Sequence, residues 1–248
     1  MEKIQDTMIK KNIIRLSVII PVYNEIKTID EVLLKVSGIK LKNVEKEIIV
    51  VDDCSTDGTR QKLSKIKNKN INFLFHKRNK GKGGAIKTAL EHATGDIIIF
   101  QDADLEYDVN DYEKLVRPII EGHSKAVYGS RFLGKKIKLI GKGKLFLPMN
   151  YLGNKFLIIL TNVLYNSRLT DMDTCYTVFK SDVIKNLRLK SDGFEVTPEI
   201  TAKVLKSGIK IHEVPINYAG RDYSEGKKIG WKDGIIAAYC LLKYRFVD

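Results

Sequence analysis

Apolar positions follow two rhythms along the first half of the chain. "LSVIIPV" (16–22) is almost wholly apolar and rich in β-branched residues, as expected of a strand buried on both faces. After it, Ile29, Val32, Leu33 and Val36 recur at helical spacing before Gly38; Thr28 is placed to cap that helix, with Glu31 three positions on as in a capping box. "EIIVV" (47–51) then predicts a strand, "DGTRQKLSKI" (57–66) a helix, and "INFLFH" (71–76) a third strand. "NKGKGGAIKTALEHA" (79–93) predicts a glycine-rich turn and a helix, "DIIIF" (96–100) a strand, "VNDYEKLVRPIIEG" (109–122) a helix, and "KAVYG" (125–129) another strand. This alternation predicts an α/β fold with a mainly parallel central sheet flanked by helices. Ligands of such sheets bind beyond the carboxyl ends of the strands. Tyr23 to Glu25, Asp52 to Ser55 and Asp102 to Glu106 each follow a strand, so the fold is expected to gather them at one crevice.

The second half is less regular. From Gly122 to Thr170 there is no Asp or Glu, while nine Lys and Arg residues occur there. Within it, "LFLPMNYLGNKFLIILTNVLY" (145–165) carries too many large apolar residues for an ordinary surface helix. Two readings stand: a basic loop and apolar helix lying at a membrane interface, or a buried helix after a solvated lysine loop. No Pro/Ser/Gly-rich linker and no internal repeat divides the chain, so residues 1–248 are expected to form a single domain.

Charge changes the picture. Forty-three Lys and Arg against 30 Asp and Glu give a formal net charge of +13, which implies an anionic partner: nucleic acid, an anionic lipid surface or a phosphorylated substrate. Nucleic acid is disfavoured, because the aromatic residues do not interleave with the basic run and no nucleic-acid-binding signature is present. The N-terminal residues mix acids with bases before a short apolar run, which is a poor signal peptide. The apolar stretches fall short of the ~20 residues of a transmembrane helix, so a soluble or peripheral protein is expected. Cys54, Cys175 and Cys240 lie far apart with neither zinc-site nor disulfide spacing, which fits a reducing cytosol.

The chemistry is concentrated in three clusters. In "QDADLEYD" (101–108), Asp102 and Asp104 flank Ala103, and extended geometry sends both side chains to one side, ready to share a hard cation such as Mg2+ or Mn2+; Glu106 continues the spacing as a third ligand. The plain alternative is a turn or helix cap. In "VVDDCSTDGT" (50–59), Asp52 or Asp53 could accept from a nucleobase N–H or serve an ordinary Asx turn. "NKGKGGA" (79–85), which includes Lys82, could bring backbone N–H groups and cations toward a phosphate, but it is neither a P-loop nor a dinucleotide fingerprint. His76, His92, His123 and His212 lack any evident Ser or Cys partner and read as structural.

With "SVIIPVYNE", "IIVVDDCSTDGT", "NKGKGGAIKTAL", "GDIIIFQDADLEYD" and "YGSRF" in this order, the chain resembles the family 2 glycosyltransferases of the GT-A fold, a Rossmann-like nucleotide-diphospho-sugar transferase fold. Among them it is most similar to dolichyl-phosphate and polyprenyl-phosphate sugar transferases, and "DMDTCYTVFK" with the stretch from "GFEVTPEI" to "GWKDG" extends the likeness to about Leu16–Phe246. The resemblance implies a nucleotide-sugar-binding half over about 16–130 and an acceptor and membrane-interface half over about 131–248, with C-terminal amphipathic interface helices. It assigns Pro21, Tyr23, Glu25, Asp52, Asp53, Lys82, Asp102, Ala103 and Asp104 to the nucleotide sugar, and Asp102, Asp104 and Glu106 to Mg2+ or Mn2+. Ser130 and Arg131 go to the acceptor phosphate, with Arg221, Lys227 and Lys228 in a loop that closes over the site; Asp102, Asp104 and Arg131 are the implied catalytic residues.

The implied reaction is an inverting, metal-dependent transfer from a UDP- or GDP-sugar to polyprenyl or dolichyl phosphate, by a protein peripheral to the cytoplasmic membrane face. A saccharide or protein acceptor is the alternative. Asp171 or Asp173 could be a base for a hydroxyl acceptor, whereas a phosphate acceptor leaves them a positioning role. Two departures stand out: many such transferases continue into transmembrane helices, which this sequence does not show, and "KSDGFEVTPEI" is slightly irregular, which is expected to matter only to a local loop.

Overall fold

A computed structural model of the chain describes residues 13–133, 147–220 and 230–247. Arg221, Lys227, Lys228 and the lysines of 135–144 lie outside the described residues. The strands are β1 (Ile14–Val22), β2 (Val44–Asp52), β3 (Ile71–Phe75), β4 (Ile97–Phe100), β5 (Ala126–Ser130), β6 (Thr177–Lys180) and β7 (Ile211–Pro215). They form one sheet in the order β3-β2-β1-β4-β6-β5-β7. Only β6 runs against its neighbours, pairing antiparallel with both β4 and β5. β6 and β7 come from the second half, so both halves contribute to the same sheet. Neither was legible as a strand: "TVFK" and "IHEVP" lack the continuous apolar run that marked the equally short β4.

The helices are α1 (Ile29–Gly38), α2 (Thr59–Leu63), α3 (Gly81–His92), α4 (Tyr112–Ile120), α5 (Leu147–Tyr165), α6 (Ser181–Lys185), α7 (Val196–Lys206) and α8 (Trp231–Phe246). β1, β2 and β4 carry continuous apolar runs (18–22, 48–51 and 97–100) because the sheet is covered on both faces, and Val18, Ile19, Ile20, Val50, Val51 and Ile98 are fully buried. Each such side chain contributes roughly 2 kcal/mol by leaving water. The predicted stripe of α1 is buried as expected. Its capping box is not made: Thr28 has helical backbone angles and its hydroxyl donates elsewhere.

A second, smaller core joins α5, α7 and α8 through Leu157, Ile158, Ala202, Ala237, Leu241 and Tyr244. The opposite sides of α5 and α8 are apolar and open. On α5, Leu152, Phe156, Ile159 and Val163 are 59–75 % exposed, and on α8, Ile235, Tyr239, Leu242 and Phe246 stand out at the same i, i+4, i+7, i+11 spacing. The reading of α5 as a buried helix therefore holds for one of its faces, while the other face is apolar and exposed. No helix among the described residues is long and apolar enough to cross a membrane.

Candidate active site

Register fixes where the clusters meet. Val22 pairs with Asp52 and Asp52 with Phe75, while β4 ends beside Ile19, so the turns after β1, β2 and β4 leave the same edge of the sheet. Above that edge lies a cavity of about 950 Å³. Pro21, Tyr23, Glu25, Asp53, Lys82, Asp102, Ala103, Asp104, Glu106 and Arg131 all line it. Asp52 and Ser130 do not. Asp52 is fully buried, accepts from Ser55 N–H and pairs with Arg60. The Ser130 hydroxyl is 2.7 Å from Thr170 Oγ1 and accepts from Phe132 and Leu133 N–H.

Each of the three turns carries a non-glycine residue at positive φ: Asn24 at 53°, Cys54 at 64° and Leu105 at 63°. For such residues this conformation costs about 1–2 kcal/mol, so surrounding contacts must enforce it. The polar residues of "CSTDGT" do so for the first turn. Ser55 Oγ, Thr59 Oγ1 and Asp57 Oδ2 accept from the N–H groups of Asn24, Glu25 and Ile26, and Asn24 Oδ1 accepts from Thr56 N–H.

The acidic turn is held from below and from the side. Buried Gln101 accepts from the hydroxyls of Tyr112 and Tyr176 and donates through Nε2 to Asp102 O. Thr28 Oγ1 donates to Ala103 O at 2.6 Å. This is where the expected capping hydroxyl went. The turn itself corrects the extended alternation: the chain bends at Ala103 and Asp104 and turns left-handed at Leu105. Glu106 is thereby sent to Tyr218, whose hydroxyl donates to Glu106 Oε2 at 2.8 Å. No group of three His, Cys, Asp or Glu side chains among the described residues is placed to hold a metal, so the expected three-carboxylate set does not assemble. Asp102 and Asp104 do share the cavity wall. A pair of carboxylates leaving room for water and phosphate oxygens suits Mg2+ or Mn2+.

Asp53 and the glycine-rich turn form one network. Its carboxylate accepts from His76 Nδ1 at 2.7 Å, Lys80 N–H at 2.8 Å and Gly81 N–H at 2.7 Å; His76 Nε2 is 2.9 Å from Thr88 Oγ1. The structural reading of His76 thus has a definite content: it orients a cavity carboxylate. The N–H groups of Gly83 and Gly84 are likewise taken, by the carbonyls of Gly193 and Asp192. That corrects the expectation of a backbone cradle for phosphate. The glycines are required because 191–193 crosses so near α3 that a Cβ on Gly81 or Gly83 would collide with its carbonyls. The irregular "KSDGFE" is therefore a clamp on the start of α3 and not merely a local loop.

Lys82 Nζ donates to Asp102 Oδ1 at 2.7 Å. Burial alone would lower the Lys82 pKa, but the Asp102 carboxylate outweighs it and the net shift is upward, so the ammonium stays charged. Across the cavity, Arg131 is fixed by Asp171 through Nε at 2.7 Å and Nη2 at 2.8 Å, by Asp173 O at 2.8 Å, and by the Tyr218 ring 5.3 Å from its guanidinium carbon. Asp171 accepts through both oxygens and is committed to this pair. Burial pushes the Asp173 carboxyl upward against the opposing pull of Arg131, and holds the Cys175 thiol well above its usual pKa. Cys175 therefore presents a thiol and not a reactive thiolate.

Sequence reasoning missed Tyr107, Thr174, Glu195 and Tyr218, all of which line the cavity. Tyr218 follows β7 and reaches the acidic turn through a bridge to Tyr107, with the two rings 5.1 Å apart. Nothing local marks either tyrosine; their pairing follows from the sheet order.

The cavity continues past the polar residues. Leu152 and Phe156 of α5 and Ile235 and Ala238 of α8 complete its wall, joining the acidic pair to the open apolar stripes. An α/β sheet with carboxylates beyond β4 and a fixed guanidinium beyond β5 defines a site for a cation and anionic groups.

The chain belongs to glycosyl transferase family 2, whose family model matches residues 17–188, and it is therefore a glycosyltransferase. Uncharacterized protein MJ1222 of Methanocaldococcus jannaschii is 33% identical over 217 residues, which cover 84% of this chain and 82% of that one. Dolichol-phosphate mannosyltransferase of Pyrococcus furiosus is 29% identical over 225 residues; the match covers 87% of this chain and spans only 60% of that enzyme's length. Glucosyl-3-phosphoglycerate synthase from Mycobacterium tuberculosis superimposes with a TM-score of 0.71 at 18% identity, covering 95% of this chain and 80% of that one. The fold is GT-A.

Proposed function

We propose that the chain transfers a sugar, with inversion, from a UDP- or GDP-sugar to a polyprenyl or dolichyl phosphate while lying against the cytoplasmic face of a membrane. The observation that carries this reading is the single cavity that runs from Asp102 and Asp104 to the exposed apolar residues Leu152, Phe156 and Ile235. A lipid phosphate is the acceptor whose two ends match those two walls. Similarity to the Pyrococcus mannosyltransferase supports the acceptor class, and the Mycobacterium synthase, solved with Mn2+ and UDP, supports the donor and the cation.

In this reading Asp53 meets the nucleobase, with Pro21, Tyr23 and Glu25 beside it, and Asp102 and Asp104 hold Mg2+ or Mn2+. When bound, the cation supplies charge stabilisation to the departing nucleotide diphosphate. Arg131 is the acceptor-side group: Asp171, Asp173 O and Tyr218 set its direction before any ligand arrives, so it orients the attacking phosphate at little further entropic cost. No general base is needed, because a phosphate monoester with a second pKa of about 6 is already anionic at neutral pH. Asp171 is then a positioning residue. Ser130, hydrogen-bonded below Arg131, supports the turn that carries it, and Arg221, Lys227 and Lys228 join the acceptor side in the same reading.

The apolar stripes of α5 and α8 would rest in the lipid interface, aided by the net charge of +13 toward anionic headgroups. The test supplies labelled UDP- and GDP-sugars with Mn2+ and vesicles containing polyprenyl phosphate. Label extracted into organic solvent is the expected result. Label transferred only to water-soluble saccharide, or to protein, would replace the lipid acceptor.

A further inference from the structure

We propose that Lys82 occupies the cation position of the acidic pair until a nucleotide diphosphate draws it away, so that metal and nucleotide load cooperatively through this one side chain. The inference deepens the reading above and rests on its assignment of Asp102 and Asp104 to a divalent cation.

The Lys82 ammonium is 2.7 Å from Asp102 Oδ1, and both side chains are largely shielded, at 18% and 22% exposed. An ammonium and a dication compete for the same carboxylate lone pairs, and in a shielded site neither solvent nor salt relieves that competition. The other described cation that lines the cavity cannot take over: Arg131 is held by both oxygens of Asp171. Nor can the start of α3 retreat. Gly81 N–H is fixed by Asp53, and those of Gly83 and Gly84 by the carbonyls of Gly193 and Asp192. What can move is the Lys82 side chain, which lines the cavity on a four-carbon stem.

Because the N–H groups of Lys80, Gly81, Gly83 and Gly84 are already bonded, the helix start offers an arriving diphosphate the Lys82 ammonium in their place. A diphosphate presents several charged acceptor oxygens. Moving to it, Lys82 releases Asp102 Oδ1 to the metal. By reciprocity, a metal bound first makes Lys82 available to the nucleotide.

The experiment measures Mn2+ binding to the full chain, by electron paramagnetic resonance of free Mn2+ and by calorimetry, with and without UDP. Lys82→Met should bind Mn2+ alone on the order of tenfold more tightly than wild type, and UDP should improve its Mn2+ affinity by a smaller factor than in wild type. Lys82→Arg, which keeps the charge, should stay near wild type. Lys87→Met removes a cation from the same helix that pairs with Asp192, and should leave Mn2+ affinity unchanged. If Lys82→Met does not fold, Lys82→Gln is read in the same way. Equal or weaker Mn2+ binding without Lys82, or equal tightening in Lys87→Met, overturns the inference and leaves the metal assignment standing. Absence of Mn2+ binding by wild type even in the presence of UDP that does bind overturns both.

Discussion

The rim beyond β1, β2 and β4 and the helix pair α5–α8 border the same cavity and are built in opposite ways. On the rim, the polar groups are tied to partners far away in sequence. Asn24 is bonded to Ser55, Thr28 to Ala103, and Asp53 to Lys80 and Gly81. Three left-handed non-glycine residues are held in place by such contacts. On α5 and α8 one face is packed and the other carries an exposed, largely apolar stripe. A rim fixed in this way recognises a small polar ligand by geometry, whereas an open apolar face recognises a surface by area alone. The difference gives each side its own failure mode.

The largest expected effect lies on the rim. Asp104→Ala should lower turnover on the order of a thousandfold or more and abolish Mn2+-dependent donor binding without changing the melting temperature, read by kinetics, calorimetry and thermal unfolding. Wild-type turnover would remove the acidic pair from the chemistry.

Next is the clamp that joins the two regions. Glu199 is fully buried and accepts from Lys190 N–H, Ser191 N–H and Lys203 Nζ. Burial works to raise its pKa, but these bonds outweigh burial and depress it. A depressed carboxyl contributes stability above its unfolded value, near ~4.3, and loses it as pH falls through the folded value. Glu199→Gln should therefore cost about 3 kcal/mol at pH 7 in urea unfolding, with the gap to wild type narrowing below about pH 4.3. A gap independent of pH would break the account.

At the proposed acceptor side, Arg131→Met combined with Asp171→Asn avoids stranding a buried carboxylate. It should raise the KM for lipid phosphate on the order of a hundredfold and change UDP affinity little, since a buried, directed guanidinium contact is worth about 3 kcal/mol. Equal loss of both would merge the two sides of the cavity. The smallest effect belongs to the bare stripe: Val163→Asp with Phe246→Asp, both at exposed positions outside the cavity wall, should reduce binding to anionic vesicles about tenfold. Donor binding should be unchanged. Undiminished vesicle binding would remove the membrane role proposed for the apolar face.

Much of this was legible in the chain. Continuous apolar runs marked β1, β2 and β4 because a strand covered on both faces has no polar side, and the rule for parallel sheets then placed Tyr23, Asp53 and Asp102 together before any contact was known. The sequence also showed α5 to be too apolar for a surface helix, though not that one of its faces is packed and the other left exposed. The irregular segment at 190–195 looked incidental and turned out to hold the glycine-rich turn, for which the glycines at 81 and 83 were the local sign.

Periodicity is a property of neighbours along the chain, so the sequence by itself determined the alternation of strands and helices and which strand ends carry acid. The partner of a buried polar group is whatever the fold brings within about 3 Å, and that depends on how distant loops meet. Only the tertiary structure could decide that Thr28 serves Ala103 and not its own helix, that Glu106 turns to Tyr218, that Asp171 is bound to Arg131, and that Lys82 holds Asp102.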